Sequence, residues 1–514
     1  MLRVIAIGEQ ELWYDEAQSA QVAMLNSTFA DALRTNNSPP LYYLLLKAWI
    51  ALAGSSERGL RLLSACLGTL TVASLIVAGR RFFGTRVGLW SAAAMALFPI
   101  HVYYSQEARG YALLTLLLLW SYMLLWRALE SNSWIAWFQT SAVAVLALYT
   151  HYVAVFGLLP SVALLMLWPR PRAGDSRWFR FIVAMALCVL CVLPWILWCF
   201  VFQSYSFSGG DFIRQIWLDT PLTLAIPKSL EVLTLGPDVA VSTLPKVYDV
   251  LKLPPQLRIA GLTLLGLLAV WVTTPWGDGN IRVPWLERRK IWLWSWLLLP
   301  LVALGIVSLY KPLYLVGRYD MIALPAAALV VGLALSKLQC LPRQGRLLAP
   351  CAALALLGIF GVKLLQYYQL SFSHPATPSN RAVARLLAEQ AKPGDAVVLS
   401  QLRGVPILYY LHRLGLRWER GECVHEDSGA RFICRLFHPE DERWLGNPAD
   451  PLPESSFARA MVISLGGRDN VLWVLAEPKY VSDALLLTEL NKLNLEAAAR
   501  SVPGAPGLQR YRLP

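Results

Sequence analysis

The chain has 514 residues, 56% of them hydrophobic and 15% charged, with a mean hydropathy of +0.47. Soluble globular domains are roughly a quarter charged, so this composition excludes an ordinary soluble protein and calls for solvation mostly by lipid. The net charge is +13, from 46 Lys and Arg against 33 Asp and Glu; both nucleic-acid binders and multispanning membrane proteins carry such an excess, and its distribution separates them.

Residues 2–7 are too short an apolar run for a secretory signal peptide. Next comes a polar island at 11–19 that contains Asp15 and Glu16, just ahead of a helix expected over 17–25. An Asp there suits a helix N-cap, and the helix dipole favours acidic residues in the first turn. A carboxylate fixed at a helix start is also pre-oriented for chemistry, so capping and catalysis are compatible. Pro39 and Pro40 then open an apolar stretch over 41–53 that holds Lys47, two Tyr and one Trp. Its length and side chains fit a helix lying in the membrane interface. The alternative is a short spanning helix, which would invert everything downstream and set the basic loops against the charge rule.

Apolar runs of spanning length follow at about 60–79, 87–103, 111–127, 134–150, 152–168, 180–202, 257–274, 291–309, 319–337 and 347–366. The loops between them alternate in charge. Basic residues gather at Arg80, Arg81 and Arg86, at Arg127, at Arg170 to Arg180, at Arg282 to Lys290, and at Lys337 to Arg346. Lys and Arg mark the cytoplasmic side, which places the other segments outside: 1–59, 104–110, the turn near 151, 203–256, 310–318 and 367–514. The basic excess is therefore topological, and nucleic acid is excluded as a partner. This topology leaves residues 1–59 outside with no helix to carry them there. Either that loop translocates by itself or a first transmembrane helix precedes it, and the second is the reading adopted.

Beyond residue 368 the texture changes. Residues 380–390 read as an amphipathic helix with Ser379 or Asn380 as N-cap, 396–400 and 471–476 as strands, 482–493 as a helix and 508–513 as a last strand. Six of the eight cysteines lie in or beside apolar runs. Cys423 and Cys434 stand in this polar region, where an oxidising compartment permits a disulfide; two free thiols are the alternative.

The outer segments collect the candidate chemistry. Glu107 and Arg109 sit between Tyr104 and Tyr111, Arg318 and Tyr319 open the ninth run, and His151 lies where two runs almost touch; His101 and Lys47 share that side. Singly, these read as an interfacial ion pair, a snorkelling arginine and a helix-end histidine. Together they place carboxylates that can act as base or metal ligand beside cations that clamp phosphate. That set suits glycosyl transfer from a lipid-linked sugar phosphate.

The motifs Trp13-Tyr-Asp-Glu-Ala17, Ser38-Pro-Pro-Leu-Tyr-Tyr-Leu-Leu-Leu-Lys47, Arg61-Leu-Leu-Ser64, Tyr104-Ser-Gln-Glu-Ala-Arg-Gly-Tyr-Ala-Leu113, Tyr149-Thr-His-Tyr152 and Gly317-Arg-Tyr319 occur in this order. In this the chain resembles the polytopic glycosyltransferases of the GT-C class, related to protein O-mannosyltransferases and to the enzymes that place aminoarabinose on lipid A. The likeness covers about residues 10–370. It implies an α-helical polytopic membrane protein of GT-C-like fold with a small C-terminal extracytoplasmic α/β domain. The parts would be a first outer loop at 1–59, a bundle of about ten helices at 60–370, and the outer domain at 371–514.

The resemblance also implies an inverting transfer from a polyprenyl-phosphate-sugar donor to a hydroxyl on lipid, polysaccharide or protein, at the outer face of the cytoplasmic (inner) membrane. Asp15, with Glu16 beside it, would be the catalytic acid pair and Glu107 the second-loop acid. Arg109, Arg318 and His151 would lie toward the lipid phosphate, with Tyr111, Tyr319 and Lys47 in the same substrate site. Some relatives hold a divalent metal (Mg, Mn or Zn), for which Asp15 and Glu107 are the candidate ligands here, and others do not. Two features depart from the family: its first transmembrane helix is missing ahead of Asp15, and Ser38 stands where a His or another polar residue is common. The rival reading is a transporter or flippase of lipid-linked saccharide, which would place polar groups mid-span and often carries internal repeats. No repeat is visible, and few charges lie mid-span.

Overall fold

The computed structural model describes residues 1–24, 38–169, 176–202, 222–235, 284–340, 348–373, 379–392, 395–419, 422–425, 431–437, 471–475, 496–499 and 508–512. They belong to two compact units: Met1–Gly8 with Val22–Ser373, and Glu9–Gln21 with His374–Pro514. Glu9–Gln21, which the sequence groups with the first outer loop, is thus part of the second unit.

After a short 3-10 turn, Leu2–Val4, comes α1 (Tyr14–Met24), which carries Asp15 and Glu16 in its first turn. The helical unit then runs through α2 (Leu41–Ala53), α3 (Glu57–Phe83), α4 (Thr85–Leu97), α5 (Pro99–Ser105), α6 (Tyr111–Ser131), α7 (Trp134–Leu148), α8 (Ala154–Leu158), α9 (Pro160–Leu167), α10 (Arg177–Phe202), α11 (Ala225–Leu235), α12 (Pro284–Ser308), α13 (Leu324–Gln339) and α14 (Leu348–Ser373). Helix covers each expected apolar run within the described residues; the run at 257–274 lies outside them. This is a multi-pass membrane protein. Among the described residues four helices are long and apolar enough to cross a membrane alone: Glu57–Phe83, Tyr111–Ser131, Arg177–Val201 and Arg288–Ser308.

The other runs are shorter or broken, and proline explains two of the breaks. Pro99 lacks the N–H that would continue α4, and the chain turns by 65° into α5. Pro160 likewise separates α8 from α9. The break at 97–99 is supported from outside: the Arg3 guanidinium donates to the carbonyls of Met95 (3.0 Å) and Ala96 (3.3 Å), and lies 2.7 Å from His101 Nδ1. Burial pushes Arg3 down to about 10, still charged at neutral pH.

The basic loops meet at one end of this unit. There Arg81 pairs with Glu130 at 2.5 Å, Arg289 donates to the Phe82 carbonyl at 2.9 Å, and Arg177 donates to the Leu129 carbonyl at 2.8 Å. Next to that end Phe82, Tyr122, Trp126, Trp292 and Trp296 form the aromatic centre of the core, with Tyr122 and Trp296 at 4.2 Å between ring centroids. α3 and α4 pack unusually closely. A Cβ on Gly88 would lie 2.4 Å from the Ile76 carbonyl oxygen, and one on Gly79 would lie 2.5 Å from Gly88 Cα. Such small-residue contacts let helix backbones approach within a membrane.

In the second unit, α15 (Asn380–Gln390) precedes β1 (Ala396–Ser400) and α16 (Gln401–Arg413), followed by β2 (Leu416–Glu419), β3 (Glu422–His425), β4 (Arg431–Phe437), β5 (Val471–Leu475), β6 (Glu496–Ala499) and β7 (Leu508–Arg512). They form one sheet in the order β2-β3-β4-β1-β5-β7-β6, with β1 parallel to β4 and β5 and the remaining pairs antiparallel. Buried Asp395 fixes the register at the start of β1: it accepts from the Val471 N–H (2.9 Å) and from Trp473 Nε1 (3.0 Å) of β5. Ser379 is the N-cap of α15, accepting from the Ala382 N–H. Cys423 and Cys434 lie on neighbouring strands, with Cys423 opposite Phe432. The helix expected over 482–493 lies outside the described residues.

Gly88→Val should lower the thermal unfolding midpoint of the detergent-purified protein, since overpacking of this kind costs about 1–3 kcal/mol. Gly305→Ala is the control, because nothing lies within 4 Å of a Cβ there. Equal midpoints for the two variants would show that the α3–α4 contact has room to relax.

Candidate active site

The candidate site of the helical unit lies at the end remote from the basic loops, where residues 106–110, 149–153 and 314–320 come together. The first of these loops is held on several sides. Gln106 donates to the Ile5 carbonyl at 2.9 Å and accepts from the Tyr367 hydroxyl at 2.9 Å. The Arg109 N–H closes back on the Glu107 carbonyl at 2.8 Å, and Ser64 Oγ donates to the Arg109 carbonyl at 3.3 Å. At Gly110 a Cβ would sit 3.1 Å from Thr150 Cγ2 and 3.4 Å from Tyr42 Cβ, so this loop, α2 and the end of α7 are in close contact. α2 is tied to the same place by its Leu41 N–H, which donates to the Tyr149 carbonyl at 3.0 Å.

These loops direct their polar side chains toward Tyr111. Arg318 stacks over the Tyr111 ring with its guanidinium carbon 6.0 Å from the centroid. His151 lies 5.4 Å from both the Tyr111 and the Tyr319 ring centroids, and Tyr104 lies 4.7 Å from that of Tyr111. Glu107, Arg109, Arg318 and Tyr319 are all within electrostatic reach of the Tyr111 phenol. Arg109 Nη1 donates to the Tyr43 hydroxyl at 2.9 Å. Glu107 is buried, 4% exposed.

His151 is neutral in this setting. Burial, reinforced by Arg109 and Arg318, pushes its imidazole down from 6.5 to about 3. Its Nδ1 accepts from the Val153 N–H at 3.2 Å, which assigns the ring proton to Nε2. The ring is therefore a hydrogen-bond donor beside two cations.

Arg318 is held by a residue that the sequence motifs did not single out. Gly317 has φ +83°, a conformation that favours glycine, and its carbonyl accepts from the Tyr104 hydroxyl at 2.7 Å. The Gly317 N–H donates to one oxygen of fully buried Asp320 at 2.5 Å, and the Tyr314 hydroxyl donates to the other at 3.1 Å. Asp320 thus clamps the turn that presents Arg318.

The candidate residues fall into three places. Glu107, Arg109, Tyr111, His151, Arg318 and Tyr319 form the cluster just described. Lys47 is exposed, one turn after Tyr43 on α2. Asp15 and Glu16 belong to the second unit and are both buried, with Ser19 Oγ donating to the Asp15 carbonyl at 2.9 Å. Tyr43 and Asp320 were missed, although each stands inside a quoted motif or one residue beyond it. Among the described residues no three His, Cys, Asp or Glu side chains converge to hold a metal ion.

Residues 37–198 match the family model for dolichyl-phosphate-mannose-protein mannosyltransferase. That match contains α2 and both loops that carry Glu107, Arg109 and His151. The crystal structure of ArnT from Cupriavidus metallidurans bound to undecaprenyl phosphate superposes with a TM-score of 0.55 at 13% identity, covering 99% of this chain and 96% of that one. This chain has the fold of ArnT. The apo-state structure of the same ArnT gives a TM-score of 0.53 at 14% identity, over 99% and 95% of the two chains. No curated protein matches the sequence. Within that fold the Tyr111 cluster brings two guanidinium groups, a neutral imidazole and several tyrosine rings together in the helical unit.

Two outcomes are expected from this geometry. Asp320→Asn keeps the size of the side chain but has one acceptor oxygen where the carboxylate has two, so kcat/KM for the donor should fall by about tenfold or more, the cost of one charged hydrogen bond. A value within twofold of wild type would remove the clamp. For His151, the unfolded ring binds a proton between about 3 and 6.5 while the native ring does not. Stability therefore rises with pH through that window and is lost on acidification. His151→Gln should flatten the slope by up to about 1.4 kcal/mol per pH unit. Unfolding midpoints from pH 4 to 7 that keep the same slope in the variant would contradict a neutral His151.

Proposed function

We propose that the enzyme is an inverting glycosyltransferase that moves a sugar from a polyprenyl-phosphate carrier to a hydroxyl acceptor at the outer face of the cytoplasmic membrane. The observation that carries this reading is the convergence of Arg109, Arg318, neutral His151 and Tyr111 from three separate loops at the end of the unit opposite the arginine-rich end. Such a set recognises a phosphate: two guanidinium groups supply charge and directed donors, and aromatic rings flank them. The charge rule assigns the arginine-rich end to the cytoplasm and the cluster to the outer side. The ArnT structure of the same fold was obtained with undecaprenyl phosphate bound, which is the class of carrier proposed here.

The reaction is a single displacement. The acceptor oxygen attacks C1 of the sugar from the face opposite the phosphate, the C1–O bond to phosphate breaks, and the configuration at C1 inverts. The acceptor's proton passes to the Asp15 carboxylate, an assignment that rests on the sequence motif, with Glu16 beside it. Arg109 and Arg318 stabilise the charge that develops on the departing polyprenyl phosphate, and the His151 Nε2–H is a further donor to it. Phosphate leaves without protonation, so this chemistry has no place for the general acid that glycoside hydrolysis uses. Glu107 offsets part of the charge of the two guanidinium groups. No step is assigned to a metal.

Transfer of radiolabel from polyprenyl-phosphate-linked sugars in membranes tests the proposal. Asp15→Asn should lower transfer by about 10²–10⁴-fold, the scale of general-base catalysis. Arg318→Ala should lower kcat/KM for the donor by about 10–100-fold, the scale of a charged hydrogen bond. Asp15→Asn activity within a few-fold of wild type would end the role given to Asp15. No transfer with any donor, together with protein-dependent movement of labelled lipid between leaflets, would make this a transporter.

A further inference from the structure

The segment just ahead of Asp15 is anchored residue by residue to the C-terminal domain. Glu11 takes three hydrogen bonds at the start of α15. One carboxylate oxygen accepts from Ser379 Oγ and from the Arg381 N–H (3.1 Å), and the other accepts from the Asn380 N–H (2.7 Å). The Gln10 carbonyl accepts from Arg381 Nη2 at 3.1 Å. The buried Leu12 N–H donates to the Tyr410 hydroxyl of α16 at 2.9 Å. α15 and α16 are themselves joined, since Arg403 Nε donates to Asn380 Oδ1 at 2.8 Å and Arg381 stacks over the Tyr410 ring at 5.8 Å.

A helix cap alone does not account for this arrangement. Ser379 already caps α15 locally through the Ala382 N–H, and solvent can satisfy the remaining first-turn N–H groups. What Glu11 adds is a fixed register for residues 10–12, whose backbone runs directly into α1 and Asp15. A carboxylate on the first N–H groups of a helix is a firm charge-assisted anchor.

We propose that Glu11 is a positioning residue through which the C-terminal domain fixes the chain that carries Asp15. That domain then serves the transfer step itself. The inference rests on the catalytic role proposed for Asp15. A misplacement of about 1 Å in a reacting group costs about 10²-fold in rate, which sets the scale of the effect.

The test compares kcat and both KM values for full-length Glu11→Ala, Glu11→Gln, Tyr410→Phe, Asp15→Asn and the Glu11→Ala/Asp15→Asn double variant. Glu11→Ala should lower kcat about 10–100-fold with both KM values within threefold. Glu11→Gln, which keeps one acceptor oxygen, should recover part of that loss, and Tyr410→Phe should lower kcat about three- to tenfold. The double variant should be no slower than Asp15→Asn, because Glu11 acts through Asp15, whereas a general folding defect would slow both backgrounds alike. Glu11→Ala with kcat within threefold of wild type, an effect confined to the acceptor KM, or losses that multiply in the double variant would each overturn the proposal. If Glu11→Ala does not fold, Glu11→Gln and Tyr410→Phe decide, since each keeps the shape of its side chain. An active Asp15→Asn enzyme would remove the catalytic reading and this proposal with it; an inactive one beside an unaffected Glu11→Ala would remove this proposal alone.

Discussion

A charged side chain that leaves water must be met by partners where it arrives, and one end of the helical unit is built around that requirement. Arg109, Arg318 and Glu107 sit among Tyr43, Tyr104, Tyr111, His151 and Tyr319. The Tyr111 face receives the Arg318 guanidinium, and the Tyr43 hydroxyl oxygen receives an Arg109 N–H. The histidine contributes by staying uncharged. A third cation there would raise the mutual repulsion of the set, whereas a neutral ring donates from Nε2 and leaves the charge to the arginines. The same logic explains Asp320. Its carboxylate is fully buried, and with a backbone N–H and a tyrosine hydroxyl on its two oxygens it holds the turn at Gly317 in a conformation that a freer loop would leave.

Irregular backbone at membrane depth must find its hydrogen bonds within the protein, and the breaks in these helices meet that condition. The carbonyls freed where Pro99 ends α4 are taken by Arg3, a residue only 7% exposed. Near the break between α8 and α9 the Gly157 carbonyl accepts from the Tyr122 hydroxyl at 2.6 Å. Ahead of α13, the 3-10 turn Tyr319–Ile322 begins immediately after Arg318. Helices interrupted in this way supply loops where polar groups converge, while uninterrupted ones such as α3 and α6 supply the frame.

Much of this was legible in the sequence, and what was missed has identifiable physical causes. Apolar periodicity located the helices, and charge alternation grouped the loops: Arg81, Arg177 and Arg289 meet at one end, and Glu107, His151 and Arg318 at the other. Local signals located the Ser379 cap, β1, β5 and β7. Other features escaped, α16 and β6 among them. Prolines 99 and 160 divide runs whose hydropathy is continuous. The strands β2 to β4 lie in a polar stretch of mixed pattern, where the sheet decides the structure more than propensity does. Tyr43, Asp320 and Glu11 each act on a partner fixed by the fold. Asp320 turns back on Gly317 and Tyr314, Tyr43 meets Arg109, and Glu11 meets α15 some 370 positions away. Local pattern cannot register the contacts of Tyr43 and Glu11, while Asp320, whose partners are three and six positions away, belongs to a turn that no motif marks.

The two acids of the first motif therefore differ in kind from the second-loop acid. Glu107 sits in a loop held by its neighbours within the helical unit, including Ser64, Thr150 and Ile5. Asp15 and Glu16 lie in a segment that is anchored at Gln10, Glu11 and Leu12 by α15 and α16 of the C-terminal domain. Position along the chain would assign these acids to the membrane part, but the hydrogen bonds assign them to the sheet domain. A small α/β domain of this kind can then vary its other surface loops freely, but its α15 and α16 are constrained by what they hold. That constraint is physical: a carboxylate can be aimed only as well as the element beneath it is fixed.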